Sequence, residues 1–515
     1  MATYEWPTKP EVTEISAEPS KETQPRGLEA LPSEEYAVKA MPPILGTFDL
    51  TAIYVSIIFF ITNVNTAVGL GGGPATFTYW ILVGATFFIP CAIATAQLGV
   101  MFPFEGSLYN WTHKAFGGYW SFFVAFCAWF PGVLLMTSAS GVVVSYIQGV
   151  SNGAWLQLPW QQGIALVGLT IFSGILATQR FRTIQNVDNI IVCFIFVAVL
   201  LVGIAGVAWL MKPGHHSITS FHHLADWSPF NPATFALFGI TAQAYLGIEV
   251  PLNMGGEIVR GDRGRRAITR HLLWGTLIVM AFYLVVTFSI LVVQGATNGG
   301  AQYSLAQTVA SGLNSAFGNI TSICIMSAFV IVPVVYNYSY ARLLLVSGID
   351  KRLPRNLGKL NKNRVPVNAI IFQTVIAVIF TAIAYLVIPY IGNLGDPANL
   401  STVVYNVVLA ASTLVWAIST GFLQVNLAKF YFMDRRAFRK RLILPMPIIW
   451  FSIVVGVASC LLAIIGTLIF SWIPQNISNN QWWYIIGGTT VVCLIIAAIG
   501  SMLASSEADW QELNR

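Results

Sequence analysis

Charge is what this chain lacks. Only 9% of its 515 residues are Asp, Glu, Lys or Arg, against about 25% in a soluble globular domain. With 56% of the residues drawn from the apolar set, there is too little polar surface to hold a chain of this length in water. The shortage excludes a cytosolic enzyme, a disordered scaffold and a nucleic-acid binder. Cysteine is scarce as well. Cys91, Cys127, Cys193, Cys324, Cys460 and Cys493 each fall in a long apolar run and none forms a CxxC pair. That pattern excludes a disulfide framework or a thiolate metal cluster and reads as buried apolar thiols. No GxxxxGK[ST] loop is present, so the chain is not an ATP-driven pump by itself.

The long apolar runs are what is present. A bilayer takes about 20 apolar residues per helical crossing. Twelve such runs occur, at 48–72, 75–102, 118–149, 160–178, 185–211, 234–259, 267–294, 318–346, 367–391, 402–432, 446–473 and 482–504. The expected fold is an all-α integral membrane protein with 12 transmembrane helices, both termini on one side. Of the 27 Lys and Arg, 26 lie in the N-terminal tail, at the C-terminus or in loops on that same side, and only Lys212 lies on the other. Basic residues mark the cytoplasmic face of short loops, which puts both termini in the cytoplasm and the protein in the plasma (inner) membrane. The net charge of +6 is therefore a topology signal.

Residues 1–45 differ in composition. Eight Glu stand against Lys9, Lys21, Arg26 and Lys39, with no apolar run. A solvated, disordered tail is the first expectation, and a short helix over Pro32–Ala40 acting as a cytoplasmic plug is the alternative. The tail lacks the basic start and apolar core of a signal peptide. His113 and His271 sit in or beside cytoplasmic loops. His215, His216, His222 and His223 share the outer loop 212–233 with Asp226. None converges on a membrane-depth site, so neither a metal, a cofactor nor an enzyme is expected.

A membrane helix satisfies its own backbone, and a break at depth is tolerated only where it lines a cavity or holds a ligand. Two segments carry clusters of breakers. Segment 1 has Thr62, Asn63, Val64, Asn65 and Thr66, followed by Gly69, Gly71, Gly72 and Gly73. Segment 6 has Gln243, Ala244, Tyr245, Leu246 and Gly247, then Glu249, Pro251 and Asn253. Thirteen acids lie outside the tail, and Glu249 is read as the one nearest mid-span. A carboxylate there is costly and marks a pathway or proton site. Glu257, nearer the cytoplasm, is expected to pair with Arg260, Arg263 or another loop Arg. Interrupted segments at corresponding positions of two halves point to a binding site near the midplane. If segments 1–5 and 6–10 are two repeats, an odd number of crossings inverts one against the other. The expected organisation is a tail at 1–45, repeat 1 at 46–211, repeat 2 at 212–432, and segments 11–12 with the C-terminus at 433–515.

Residues 73–117 run Gly-Pro-Ala…Gln-Leu-Gly-Val-Met-Phe-Pro-Phe-Glu-Gly-Ser-Leu-Tyr-Asn-Trp…Ala-Phe-Gly. This stretch resembles segment 2 and its loop in the amino acid–polyamine–organocation superfamily, whose pattern is GP…(A/E)xLGxxFPxxGGxYxW…AFG. Ala244 to Glu249 resembles the family's broken sixth segment. Asn337 to Ala369, with Arg342, Asp350, Pro354 and Pro366, resembles its eighth-to-ninth loop. The matches run in order over about 75–370. Two departures stand out: Thr-Asn-Val-Asn-Thr replaces the usual Gly-rich run of segment 1, and Ser107 replaces a second Gly.

The resemblance to bacterial-type amino acid permeases implies a 5+5 inverted-repeat (LeuT-like) core with broken helices 1 and 6. It also implies secondary transport of an amino acid or related amine. Carried over, the substrate carboxylate falls to Thr62–Thr66 and the amino group to Ala244–Gly247. Half-helix N-termini suit the former. Glu249 is assigned proton or charge coupling, with exchange or proton symport expected in place of sodium symport. Beside the small-molecule substrate, the partners expected are the lipid bilayer and a coupling proton, with no nucleic acid. The alternatives are a transporter-fold sensor without net flux and a polyamine transporter.

Overall fold

The computed structural model describes residues 30–391 and 397–513. Eleven helices among them are long and apolar enough to cross a membrane: Thr47–Gly69, Ala75–Met101, Gly118–Val150, Pro159–Ala177, Phe181–Met211, Gly261–Val293, Ser315–Ile349, Val367–Tyr390, Asn406–Met433, Met446–Ile469 and Asn479–Ala508. These are segments 1–5 and 7–12. Segment 6 is the twelfth crossing and is made of two short pieces, Ala236–Ala244 and Val250–Glu257. No strand occurs among the described residues.

Burial separates core from periphery. The most apolar stretches of segments 1, 3 and 10 are 83%, 78% and 78% buried, while that of segment 12 is 28% buried. Segment 8 packs on both segment 3 and segment 5. A helix that is apolar all round but buried on one side only needs lipid for the other. Segments 4, 9, 11 and 12 are of this kind, with exposed Ile164, Ile371, Val454 and Leu503. Five of the six cysteines are buried thiols. Cys193 is exposed on segment 5, because its position falls on that helix's outward face with Ile190, Phe194 and Val197. His271 is not at a loop edge. It is fully buried in segment 7, its ring Nδ1 3.0 Å from the Ala267 carbonyl.

The last part of the region expected to be a solvated tail is helical. Residues 1–29 lie outside the described residues, but Pro32–Ala40 form a helix docked on the end that carries the basic loops. The reason is paired chemistry that composition cannot show. Glu34, only 3% exposed, meets Lys114 Nζ at 2.8 Å and accepts from Asn110 Nδ2 at 2.6 Å. The Ser33 amide and hydroxyl both donate to Asp350 at 2.9 Å. Arg260 donates to the Val38 carbonyl. Leu45 then pairs with Ile258 as a short parallel bridge, so the entering chain is tied to the end of segment 6.

At the same end, Arg342 of segment 8 sits between two carboxylates. Its Nε is 3.1 Å from Glu105 and its Nη2 2.8 Å from Glu257. All three side chains are at most 1% exposed. Glu257 thus pairs with segment 8 and not with the nearby loop arginines, because its 3-10 turn directs it inward while Arg260 turns to the N-terminal helix.

Candidate functional site

Segment 1 is helical over Thr47–Ile58, opens over residues 59–62, and resumes at Asn63–Gly69. The break therefore lies earlier than the polar cluster. Of the five residues predicted there, only Thr62 is in the open stretch, while Asn63, Val64, Asn65 and Thr66 are helical. Weak helix propensity is a small bias, well under 1 kcal/mol per residue, and tertiary contacts override it. Two phenols supply those contacts. Tyr336 of segment 8 donates to the Ile57 carbonyl at 2.8 Å. The Tyr283 hydroxyl of segment 7 lies 2.8 Å from the Ile58 carbonyl and 3.1 Å from the Phe60 amide.

Segment 6 opens where the sequence places it. Helix Ala236–Ala244 ends, residues 245–249 are irregular, and a 3-10 turn begins at Val250 with Pro251 in its first positions. Proline suits that place and disfavours helix just before it. Gly247 has φ +98°. A Cβ there would lie 2.9 Å from Ile57 Cγ2 and 3.0 Å from Trp416 Cζ2. The glycine lets segments 1, 6 and 10 meet. Tyr283 joins the two breaks, since its hydroxyl is also 3.2 Å from the Ala244 carbonyl. One phenol thus serves backbone groups of both interrupted helices, as a bilayer interior requires.

The predicted residues do not all face one space. Asn65 points to the end opposite the basic loops, where its amide reaches the Gly299 carbonyl at 2.8 Å and the Ala301 carbonyl at 3.0 Å, with the Ser304 hydroxyl beside it. Tyr245 turns toward segments 2 and 7. Its ring stacks on Phe88 at 4.3 Å and its hydroxyl donates to the Trp80 carbonyl at 3.2 Å. Glu249 and Gln243 stay at the break. Trp416 Nε1 donates to Glu249 Oε1 at 3.0 Å, and Glu249 Oε2 has no partner among the described residues. The same holds for Gln243 Oε1 and Asn63 Nδ2. Glu249 is 1% exposed.

Aromatic rings line the side facing segments 3, 8 and 10. Phe60 meets Phe329 at 4.8 Å, Tyr336 stacks with Tyr340 at 5.8 Å, and Tyr340 meets Trp416 edge-on at 6.0 Å. Gly132 of segment 3 sits against Tyr340, where a Cβ would come within 2.5 Å. A buried carboxylate beside aromatic faces suits an ammonium group. Sequence reading missed Tyr283, Tyr336, Tyr340 and Trp416, because aromatics in apolar runs carry no periodic signal. It also missed Asp188 in segment 5, which is fully buried. Its spacing from Gln185, one turn away on the buried face, was the available signal.

Comparison with known proteins agrees with this architecture. In Oryza sativa subsp. japonica, the polyamine transporter PUT1 is 24% identical over 172 residues, covering 32% of this chain and 30% of that protein. In Lactococcus lactis subsp. cremoris (strain MG1363), the branched-chain amino acid permease BcaP is 21% identical, covering 66% of this chain and 75% of that one. The chain thus spans under a third of the first relative's length and three quarters of the second's. Among solved structures, MhsT in complex with L-phenylalanine superposes with a TM-score of 0.57 at 12% identity, covering 82% of this chain and 98% of MhsT. That likeness shows the fold, which is the LeuT-like architecture with broken helices 1 and 6. The amino acid permease family model matches residues 45–503. The chain belongs to the amino acid permease family.

Proposed function

We propose that this protein is a secondary transporter that moves an amino acid or related amine by alternating access, as an exchanger or proton-coupled symporter. The observation that carries this reading is the joining of two helix breaks by Tyr283, with a Glu249 oxygen beside them that has no partner among the described residues. The break of segment 1 offers its backbone and Thr62 to a substrate carboxylate. The break of segment 6, over Tyr245, Leu246 and Gly247 with Gln243 and Ala244 at its edge, offers carbonyls and Glu249 to an amine. Segments 1, 2, 6 and 7 tilt against segments 3, 4, 8 and 9. The basic end faces the cytoplasm and the protein resides in the plasma (inner) membrane, by the distribution of Lys and Arg. Its role is that of a carrier, not an enzyme.

Reconstitution tests this. Proteoliposomes bearing the full chain are loaded with single amino acids, agmatine or putrescine, and uptake of the labelled compound is followed with and without sodium. Uptake or counterflow without sodium is expected. Binding of a compound with no flux would identify a sensor, and strict sodium dependence would remove the proton reading.

A further inference from the structure

A groove opens at the end of the molecule that carries the basic loops. It is a cavity of about 330 Å³, within the size range of small-ligand sites. Its walls include Val38 of the N-terminal helix, Val100 and Phe104 at and just beyond the end of segment 2, Gly256 at the end of segment 6, and Arg265 and Ile268 of segment 7. No residue of the two helix breaks lines it, so it is separate from the site described above. Its rim is basic. Arg260 and Arg265 both line the groove and both are exposed. Arg260 donates to the Val38 carbonyl, and Arg265 forms no ion pair among the described residues. Residues 258–270 hold five arginines against one acid, Asp262. The buried acids beside the groove, Glu105 and Glu257, both face Arg342.

Depth decides which kind of anion fits. Val100 lies at the end of the apolar run 75–102, and Ile268 at the start of the run 267–294. The groove therefore sits where segments 2 and 7 leave the apolar zone. Above it the two helices run side by side: a Cβ on Gly99 would lie 3.2 Å from Ile268 Cγ2, and one on Gly84 2.6 Å from Met280 Cε. Their outward faces are bare. Ile89 on segment 2 is 39% exposed, and Leu273 and Trp274 on segment 7 are 57% and 54% exposed. Leu273 stands about 12 Å along the axis from Arg265, at 1.5 Å per residue. An apolar furrow thus runs down into a basic pocket. A free anion would use the pocket alone. A phospholipid uses both, with its chains along the furrow and its phosphate against guanidinium groups, whose planar forks suit phosphate oxygens.

We propose that this groove binds one anionic phospholipid of the leaflet on the basic side, with Arg265 and Arg260 holding its phosphate. A bias of Lys and Arg toward one face sets topology and requires no cavity. Here the cavity, the arginines and the furrow coincide. Juxtamembrane arginines attract an anionic leaflet in general, and the groove turns that attraction into a single site. A zwitterionic lipid fits less well, because its ammonium meets the same arginines. The walls belong to the N-terminal helix and to segments 2, 6 and 7, so a bound headgroup ties these elements together at the basic end. The site stands whatever the transported compound is.

The test is native mass spectrometry of the full chain in detergent, titrated with dioctanoyl phosphatidylglycerol. One lipid is expected to bind more tightly than any further copies. Arg265 is exposed, so Arg265→Gln is expected to fold with unchanged Tm. It should bind that first lipid about tenfold more weakly or worse, the loss of one charge-assisted bond. Arg439→Gln removes an equally exposed arginine after segment 10 and is expected to leave the affinity unchanged. Equal loss in both variants, or no loss in Arg265→Gln, overturns the site, since diffuse charge would then explain the binding. Equal affinity of the wild type for dioctanoyl phosphatidylcholine overturns the charge argument. Displacement of the lipid by glycerol phosphate at equal concentration would show a site for a free anion and overturn the lipid assignment. A dimer that dissociates in Arg265→Gln would put a second copy in the groove and overturn it as well.

Discussion

Removing the Glu34 carboxylate should undock the N-terminal helix without unfolding the membrane body. Glu34 and Lys114 form a pair with 3% and 5% side-chain exposure. Truncating one partner of a buried pair costs about 3–5 kcal/mol, because the other charge is left unpaired. Asn110 also loses its acceptor. The Lys114 ammonium keeps the Phe102 and Phe104 rings at 5.9 and 5.6 Å, which recovers about 1 kcal/mol or less. The penalty has an outlet: Lys114 regains water if the helix lifts off. What opposes lifting is the two Ser33–Asp350 bonds, the Arg260 bond to the Val38 carbonyl and the burial of Ala37 and Met41. A charge-assisted bond contributes about 1.5–3 kcal/mol, so the remaining hold is of the same order as the loss. A net weakening of about 3 kcal/mol raises the undocked population by roughly two orders of magnitude. Hydrogen exchange reads this directly. In Glu34→Ala, amides of residues 33–40 should lose protection by about that factor, while segments 3 and 8 keep theirs. Unchanged protection of the helix would refute the energetic argument. Equal loss across segment 8 would show that helix and body open as one unit.

Other outcomes follow from single residues. Gly247→Ala should abolish substrate flux, since a Cβ meets Ile57 and Trp416 at a positive φ; undiminished flux would mean the break is soft. Trp416→Phe keeps an aromatic ring but strips Glu249 Oε1 of its donor. It should weaken amine binding about tenfold or more, since losing a donor to a buried charged group costs about 1.5–3 kcal/mol, and titration calorimetry measures it. Glu105 gives a pH signature. Burial pushes its carboxyl from 4.5 up to about 8, with Glu257 adding to the rise and Arg342 opposing it. The folded chain then binds more protons than the unfolded one between those values. Stability should fall as pH rises through that window, and Glu105→Gln should flatten the melting profile there.

Legibility in the sequence followed the range of the interaction. Crossings are local, twenty-odd apolar residues each, and all twelve were visible. The break of segment 6 was visible too, because Gly247 and Pro251 act on their own backbone. The break of segment 1 was misplaced toward Asn63–Thr66. Its position is set by Tyr283 and Tyr336, more than 200 residues away in sequence. The family resemblance assigns Asn65 to the substrate carboxylate with the rest of Thr62–Thr66, and sequence could not show that residues 299–304 supply its amide with partners. The N-terminal helix over Pro32–Ala40 stood only as the alternative to a solvated tail for the same reason. Glu34 and Lys114 are each ordinary surface residues until the fold brings them together. Asp188 fell inside the run 185–211 but near its end, and sequence could not show that Ser56 of segment 1 meets it.

The two halves of segment 1 are held by different neighbours. The lower half is held through Ser56 and Tyr54 by segments 5 and 7. The upper half is clasped through Asn65 by residues 299–304. Between them lie only four non-helical residues. A continuous helix would act as a rigid lever, and a push at one end would pry open the other. With a slack joint in the middle, motion at the inner end is not transmitted outward. The break thereby keeps the membrane from leaking: it insulates two doors that must never stand ajar together.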